Sequence, residues 1–222
     1  MKCVILCAGE SRRMGGNIPK VLIPINGKPL LHHVIRMWES SVDGFIFVLS
    51  YKWIDTIKIL PKNSIYVFQD SQKGIADAIL KVEPLIDGAF IVALGDCIQK
   101  GEWQVPSIPS ELGISVWETD NSDAIRASYS VEIKDGYISK VVEKPKELVN
   151  NYCGMGTYFF DQRVFGYIRK TPISTLRNEV EITDTIQLMI DSKEKITPIF
   201  FRGDYLNVTY PEDIQKAEEM LK

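Results

Sequence analysis

The first residues whose types and spacing suggest chemistry lie in a segment of small and cationic side chains near the start of the chain. The apolar run Val4–Cys7 ends at Ala8-Gly9, and Arg12, Arg13 and Lys20 follow. A loop of small residues lets backbone N–H groups approach an anion, and arginine and lysine add charge-assisted hydrogen bonds. The segment therefore predicts a polyphosphate site, with a nucleotide as the first ligand to consider.

A carboxylate later in the chain suits a divalent cation. Leu94-Gly95-Asp96 ends a buried apolar run, and open α/β sheets bind ligands beyond the carboxyl ends of their strands. Mg²⁺ takes few protein ligands and fills its remaining positions with phosphate oxygens and water. Asp96 is therefore predicted to hold Mg²⁺ beside the polyphosphate.

Composition limits the classes of protein to consider. Of the 222 residues, 45% are hydrophobic and 25% are charged, as in an ordinary globular protein. The net charge of −3 argues against a surface that coats nucleic acid. No apolar run approaches the roughly 18 residues of a membrane span, and no signal peptide is visible. We therefore expect a cytoplasmic protein without nucleic-acid or membrane partners.

The spacing of apolar residues predicts the elements that position these side chains. Nearly continuous apolar runs, typical of strands covered on both faces, lie at Cys3–Cys7, Phe45–Leu49, Ile65–Phe68 and Ala89–Leu94. Helical stripes begin at Pro29 and at Ile75. This alternation predicts an α/β fold: a Rossmann-like, doubly wound and mostly parallel sheet with helices on both faces.

The second half has a different pattern and predicts a smaller, β-rich portion. Its strand-like runs are Ile114–Thr119, Ala124–Ile133 and Tyr137–Val142, with a turn at Lys134-Asp135-Gly136. Two further stretches, Val180–Asp191 and Pro211–Leu221, have helical spacing.

The loop motif and its neighbours resemble the nucleotidyltransferases that join a nucleoside triphosphate to a sugar 1-phosphate. The family pattern G-x-G-T-R-(L/M), P-K and G-K-P-(L/M) stands here as Gly9–Met14, Pro19-Lys20 and Gly27–Leu30. The spacing is most similar to the N-acetylglucosamine-1-phosphate uridylyltransferase branch, although Ser11 and Arg12 replace the usual Gly and Thr. The loop lacks the GxxxxGK[ST] string of a P-loop and the complete GxGxxG of a dinucleotide fold.

The resemblance implies roles for the loop residues. A sugar-phosphate oxygen attacks the α-phosphorus of the triphosphate, and pyrophosphate leaves. The nucleophile is already an anion, so cations and positioning must supply the catalysis. Arg13, suited to the β- and γ-phosphates, and Lys20, expected near the α-phosphate, are the catalytic candidates. Ala8, Gly9 and Ser11 are expected to bind the nucleotide.

Further motifs imply contacts to the metal and the base. Asp96 matches the family's G-D, whose Asp is a metal ligand, and Asn207 stands where W-x-D-(V/I)-G-T-P-E-D usually has Asp. The N-acetylglucosamine uridylyltransferases have Asn in this role, and an amide oxygen can bind Mg²⁺. Gln69 and Gly74 match Q-x(4)-G-(T/L)-A. A Gln amide offers a donor and an acceptor to the imide of uracil or thymine, which favours UTP or dTTP.

The remaining motifs imply sugar contacts. Glu143 and Lys144 match V-x-E-K-P, and Glu181 lies in the string that matches E-(I/V/Y)-T-D. Carboxylates are natural partners of sugar hydroxyls, and lysine is a natural partner of the sugar phosphate. Gly156 aligns with N-x-G-(I/L)-Y, in which Gly154 replaces the usual Asn. That replacement leaves the identity of the sugar open.

Together these patterns predict one nucleotidyltransferase domain over residues 1–222, with a nucleotide-binding portion at 1–110 and a sugar-binding portion at 111–222. We expect it to convert an NTP and a sugar 1-phosphate into an NDP-sugar and pyrophosphate with Mg²⁺. Two alternatives stay open: a cytidylyltransferase for a non-sugar alcohol phosphate, and a catalytically silent regulatory protein that binds nucleotide sugars. The C-terminal β-helix domain of larger relatives is not expected in this length, and the last helices could mediate a homo-oligomer.

Overall fold

A computed structural model of the protein describes residues 1–16, 18–104, 112–174 and 178–222. The strands in these ranges are β1 (Lys2–Leu6), β2 (Pro24–Ile25), β3 (Lys28–Pro29), β4 (Gly44–Leu49), β5 (Ile65–Phe68), β6 (Phe90–Leu94), β7 (Cys97–Trp103), β8 (Gly113–Glu118), β9 (Tyr129–Lys134), β10 (Tyr137–Glu143), β11 (Tyr152–Phe160) and β12 (Thr197–Asn207). The α-helices are α1 (Leu30–Trp38), α2 (Ile75–Leu80), α3 (Ser122–Ala127), α4 (Arg163–Ile168), α5 (Ile182–Asp191) and α6 (Glu212–Met220). Across the described ranges, none of these helices combines the length and the apolar character that a bilayer span needs.

The first half of the chain builds the parallel part of the sheet. Its strands lie in the order β5-β4-β1-β6, and each neighbouring pair is parallel. Leu6 at the end of β1 pairs with Val48 on one side and with Leu94 on the other. The carboxyl ends of these strands therefore meet at one edge. The strands predicted from continuous apolar runs are confirmed, with ends shifted by a residue or less.

Apolar layers cover both faces of the sheet. Successive residues of β1 point to opposite sides. Val4 belongs to the buried cluster that contains residues of α2, α4 and α5, whereas Cys3 and Ile5 belong to the cluster that contains residues of α1 and α6. All three side chains are fully buried. This explains why β1 reads as a continuous apolar run instead of an alternating one. The predicted α/β fold with helices on both faces is confirmed.

The second half extends the same sheet with mixed strand directions. Strand β11 lies antiparallel between β6 and β8, and β12 runs parallel to β8 and antiparallel to β7. The hairpin β9–β10 joins this sheet through β9, which pairs with β11. Asp135 and Gly136, the turn of that hairpin, both have positive φ (53° and 81°), as a type I′ turn requires.

The prediction of one strand over Ala124–Ile133 is wrong. Asn121 Oδ1 accepts a hydrogen bond from Ala124 N at 3.1 Å and caps the short helix α3, so the strand begins only at Tyr129. Strands β2, β3, β7, β11 and β12 were not predicted. The predicted boundary between residues 110 and 111 falls outside the described residues.

Candidate active site

The carboxyl ends of β1 and β6 approach each other very closely. Gly95 N donates to Leu6 O at 2.9 Å, and a Cβ atom at Gly95 would lie 2.8 Å from that oxygen and 2.9 Å from Cys7 Sγ. A side chain does not fit in so short a gap. The close approach sets the next residue, Asp96, beside the loop that follows β1.

Lys20 and Asp96 form an ion pair at this edge. Lys20 begins a 3-10 turn (Lys20–Leu22) directly after Pro19, and its Nζ contacts Asp96 Oδ2. The two side chains are only 18% and 24% exposed, so their charges attract more strongly than they would on an open surface. The predicted catalytic lysine and the predicted metal ligand therefore lie at one location.

Ser11 has a backbone conformation that favours glycine. Its φ is 56° and its ψ is 25°, a left-handed geometry that costs a residue with a side chain about 1–2 kcal/mol. Its Oγ accepts a hydrogen bond from Lys20 N at 2.6 Å, and the residue is 9% exposed. Ser11 thus occupies the place of the family's glycine and connects the loop to Lys20.

Two side chains that were not predicted orient the loop backbone. Trp53 Nε1 donates to Gly9 O at 3.0 Å, and Gln72 Nε2 donates to Ala8 O. In a trans peptide the N–H points opposite to the C=O, so the N–H groups of Gly9 and Glu10 point away from these donors. Gln72 could have been found, because it lies inside the base-binding motif. Trp53 is 44 residues from its partner, and no local motif indicates it.

These residues line a cleft made of two joined cavities. The first has a volume of about 240 Å³, and its lining includes the predicted site residues Ala8, Gly9, Lys20, Gln69, Gly74 and Asp96. The second shares with it Gly9, Lys20, Gln72, Asp96 and Glu179. It adds the predicted residues Ser11, Arg13 and Asn207. The cleft therefore brings together the predicted phosphate, base and metal residues.

Arg13 lies at the open side of the cleft. Its guanidinium carbon is 5.7 Å from the centroid of the exposed Tyr210 ring. Such a contact contributes about 0.5–1 kcal/mol at an exposed site, so Arg13 is held weakly and can turn toward an anion. Arg12 instead pairs with Glu10 at the surface, and that hydrogen bond raises the pKa of Arg12.

Gln69 lies at the inner wall of the cleft, where it is 5% exposed. It directly follows β5, and its backbone N–H donates to Leu49 O at 2.8 Å. Its side-chain Nε2 donates to Asp77 Oδ2 at 2.8 Å and to Gly74 O at 3.3 Å. Gly74 has a φ of 98°, and a Cβ atom there would lie 2.5 Å from Val180 O. Hydrogen bonds and close packing thus hold Gln69 and Gly74, the two residues predicted to contact the base, in place.

Asp96 and Asn207 both line the second cavity, and both side chains carry oxygen atoms. Val208 N donates to Asp96 O at 2.9 Å, which holds the end of β12 against Asp96. Asn207 Oδ1 accepts from Thr209 Oγ1 at 3.2 Å and lies on an exposed residue. One carboxylate and one amide on an open cleft form an oxygen donor set that leaves room for phosphate oxygens. These residues fit the predicted Mg²⁺.

Asp213, in the first turn of α6, holds the segment that follows Asn207. Its carboxylate accepts hydrogen bonds from Thr209 N (2.9 Å), Tyr210 N (2.9 Å) and Lys216 Nζ (3.0 Å). Burial acts to raise the pKa of Asp213, but the bonds from Tyr210, Thr209 and Lys216 outweigh it and leave that pKa below its usual value. The charged carboxylate therefore fixes the loop beside the metal-binding candidate.

The predicted sugar-binding residues lie outside the two cavities. Neither cavity is lined by Glu143, Lys144, Gly156 or Glu181. Thr183 Oγ1 donates to Glu143 Oε2 at 3.4 Å, and Glu181 is 8% exposed just before α5. Burial, then Glu143, raises the pKa of Tyr158, and Glu181 adds to this shift. Both carboxylates thus contribute to the electrostatic environment of one buried hydroxyl.

Gly156 lies directly behind the wall of the cleft. A Cβ atom there would lie 2.7 Å from Cys97 Sγ and 2.9 Å from Leu94 Cδ1, and Leu94 lines the first cavity. Its backbone N–H donates to Tyr205 Oη at 3.0 Å. The packing around Gly156 thus links the sugar-binding candidates to the cleft.

Gly154 differs from the family pattern because an aromatic ring fills the space of a side chain. A Cβ atom at Gly154 would overlap the ring of Tyr129. Tyr129 is 3% exposed, and its Oη donates to Met155 O at 3.1 Å. The ring and an asparagine at position 154 exclude each other, so packing explains this departure.

Known proteins are similar to this chain in sequence and in fold. A family model, the MobA-like NTP transferase domain, matches residues 3–108. The chain is 33% identical to the bifunctional protein GlmU of Methanocaldococcus jannaschii. The alignment covers 100% of this chain and 54% of that relative, so the chain spans about half the length of GlmU. It is 31% identical to the UTP–glucose-1-phosphate uridylyltransferase AglF of Haloferax volcanii, in an alignment that covers 100% of this chain and 97% of AglF.

Among solved structures, a UDP-glucose pyrophosphorylase complexed with UDP-glucose superposes with a TM-score of 0.83 at 21% identity. The superposition covers 98% of this chain and 97% of the other. At that level of identity the likeness shows a shared fold.

Proposed function

The chain belongs to the family of sugar-1-phosphate nucleotidyltransferases, and from this premise we propose that it transfers a nucleotidyl group from UTP or dTTP to a sugar 1-phosphate. One observation carries the proposal: Lys20, Asp96 and Gln69 line one cavity at the carboxyl edge of the parallel strands. A cation, a metal-binding carboxylate and an amide that can read a base are the groups this transfer needs in one place. The products are an NDP-sugar and pyrophosphate.

The transfer exchanges one phosphoanhydride bond for another. A phosphate oxygen of the sugar 1-phosphate attacks the α-phosphorus and forms a new P–O bond. The bond from the α-phosphorus to the bridging oxygen breaks, and pyrophosphate leaves with the electron pair. Both reactants are anions, so positive charge lowers the barrier. We propose that Lys20 stabilises the negative charge at the α-phosphate and that Arg13 stabilises the charge on the β- and γ-phosphates.

The loop backbone supports the same step. Trp53 and Gln72 engage the carbonyls of Gly9 and Ala8, so the N–H groups on the opposite sides of these peptides are available to phosphate oxygens. Ser11 contributes by holding the backbone of Lys20. The loop therefore presents neutral donors as well as cations.

Mg²⁺ is the proposed cofactor, with Asp96 and Asn207 as its protein ligands. When bound, it supplies positive charge to the phosphate oxygens and reduces the repulsion between the two anions. An amide in place of a second carboxylate lowers the charge of the ligand set, which predicts weaker Mg²⁺ binding than two carboxylates would give.

We further propose that residues 1–110 bind the nucleotide and residues 111–222 the sugar. In that scheme Glu143 and Glu181 bind sugar hydroxyls, Lys144 binds the sugar phosphate, and Gly156 belongs to the same sugar-binding set. A cytoplasmic location and self-association through the last helices stay predictions.

Pyrophosphate release over a panel of NTPs and sugar 1-phosphates, with and without Mg²⁺, tests the proposal. We expect Mg²⁺-dependent turnover with UTP or dTTP. Lys20→Ala should lower kcat by about 10²–10³, the usual cost of removing a group that meets transition-state charge. Lys62→Ala, which removes an exposed lysine outside the cleft, should leave kcat unchanged.

Other outcomes would change the assignment. Turnover only with CTP and a non-sugar alcohol phosphate would identify the cytidylyltransferase alternative. Tight binding of a UDP-sugar without turnover of any pair would identify a regulatory protein. Undiminished kcat in Lys20→Ala would contradict the role given to that residue.

A further inference from the structure

The amide of Gln69 is held in one orientation by its neighbours. Its Nε2 donates to Asp77 Oδ2 at 2.8 Å and to Gly74 O at 3.3 Å. A carboxylate and a carbonyl accept hydrogen bonds and do not donate them. The nitrogen of the amide must therefore face these two groups, and both of its hydrogens are engaged.

The oxygen of the same amide is left for a ligand. Within the part of the chain that the structure describes, no hydrogen bond reaches Gln69 Oε1 from another residue, and this atom is not among the buried side-chain atoms without a partner. It is therefore accessible, and Gln69 lines the first cavity of the cleft. The wall of the cleft therefore presents a hydrogen-bond acceptor, Gln69 Oε1, to a ligand.

We propose that Asp77 determines which base the protein accepts, by fixing Gln69 so that it presents only an acceptor. Uracil and thymine carry a hydrogen on N3 and can donate to Oε1. Cytosine has a lone pair on N3 and would be repelled. This inference rests on the proposed function, and it narrows the substrate to nucleotides whose base donates from a ring nitrogen.

Asp77 acts through Gln69 and is a positioning residue. It also lies in the first turn of α2, where a carboxylate stabilises a helix through the N-terminal dipole. That structural role would change stability and would affect UTP and CTP equally. The ratio of the affinities for UTP and CTP separates the positioning role from the structural role, because uracil and cytosine have the same size.

Asp77→Asn tests the inference. An asparagine can donate to Gln69 as well as accept from it, so only the longer bond to Gly74 O (3.3 Å) still favours one orientation of the amide. The amide of Gln69 can then turn and offer Nε2 to the base. We expect wild type to favour UTP over CTP by about 100-fold or more, as sites that pair with a substrate hydrogen do. In the variant this ratio should fall by about tenfold or more, mainly through tighter binding of CTP.

The measurements are equilibrium binding of UTP and CTP and, where turnover occurs, kcat/KM for both, with the melting temperature of each variant. Asp70→Asn is the matched control, since it removes an exposed carboxylate from the same loop and should keep the ratio of wild type. Asp77→Ala, which also frees the amide, is the second variant if Asp77→Asn does not fold.

The outcomes separate this inference from the proposed function. An unchanged ratio in a folded Asp77 variant would overturn the inference, and so would a wild-type preference for CTP. If no NTP is turned over but UTP binds more tightly than CTP and the variant loses that preference, the inference stands and the enzymatic proposal fails.

Discussion

The portions proposed to bind the nucleotide (residues 1–110) and the sugar (residues 111–222) hold their predicted residues in different ways. In the first portion the residues follow the ends of parallel strands, as Asp96 follows β6 and Gln69 follows β5, and they meet in one cleft. In the second portion Glu143 and Gly156 lie on the antiparallel strands β10 and β11, and neither lines the cavities of the cleft.

The difference shows which contacts a local motif can specify. Parallel strands end at the same edge, so residues that follow them come together as a consequence of the topology. Antiparallel strands join segments whose mutual fit depends on individual side chains, as in the packing of Tyr129 over Gly154. Motifs are therefore more informative in the first portion than in the second.

Among the substitutions that test this comparison, Gly154→Ala is expected to change stability most. Gly154→Ala adds a Cβ atom that overlaps the buried ring of Tyr129, whose Oη is bonded to Met155 O. Overpacking of this kind costs about 1–3 kcal/mol, and we expect the upper end because ring and strand are both fixed. The free energy of unfolding in urea measures the change.

Gly166→Ala is its matched control. Gly166 lies inside α4 with nothing within 4 Å of its added Cβ, so the change should stabilise the protein by about 0.5–1 kcal/mol. In a double-mutant cycle, Tyr129→Leu should recover part of the stability that Gly154→Ala loses, because the smaller side chain leaves room for the added Cβ atom. A Gly154→Ala variant as stable as wild type would show that packing does not select this glycine.

A smaller effect on stability is expected at Ser11, whose left-handed backbone and hydroxyl shape the loop after β1. Ser11→Ala keeps the left-handed strain and leaves Lys20 N without its acceptor, so it should lose about 1–2 kcal/mol of stability. Ser11→Gly relieves the strain while losing the same bond, so the two effects should nearly cancel. Both variants should lower kcat more than they change KM, because Lys20 is held less firmly.

Lys193→Gly controls for strain relief alone. Lys193 is exposed, has a φ of 70° and follows α5, so glycine there should stabilise the protein without altering kcat. If Ser11→Ala were as active and as stable as wild type, the hydroxyl would not be a determinant of the loop.

The sequence was sufficient for the features that depend on short stretches of chain. Continuous apolar runs predicted β1, β4, β5 and β6, and the resulting topology predicted that Asp96 lies at the carboxyl edge of the sheet. That Lys20 lies beside it was implied by the resemblance of the Pro19-Lys20 motif to the family pattern. Residues 124–133 were misread because the strand-like run 129–133 was extended back over Ile125, whereas the cap from Asn121 starts a helix there.

The residues that escaped prediction act across long separations or through another side chain. Trp53 contacts the loop from 44 residues away, and Tyr129 fills the space at Gly154 from an adjacent strand. Asp77 acts by orienting Gln69. Such pairings depend on three-dimensional packing, and a single sequence contains no local pattern for them.

The smallest effect concerns Asp213, which holds the loop between β12 and α6 beside the cleft. Its pKa is below the usual 3.8, so its contribution is complete above that pH and is lost as pH falls through the lowered value. Asp213→Asn should therefore cost about 1 kcal/mol at neutral pH, and the difference from wild type in urea unfolding should shrink on acidification. Glu212→Gln, which changes an exposed carboxylate of the same helical turn, should show no comparable dependence on pH. A difference that stays constant down to low pH would mean that Asp213 holds the loop by shape instead of charge.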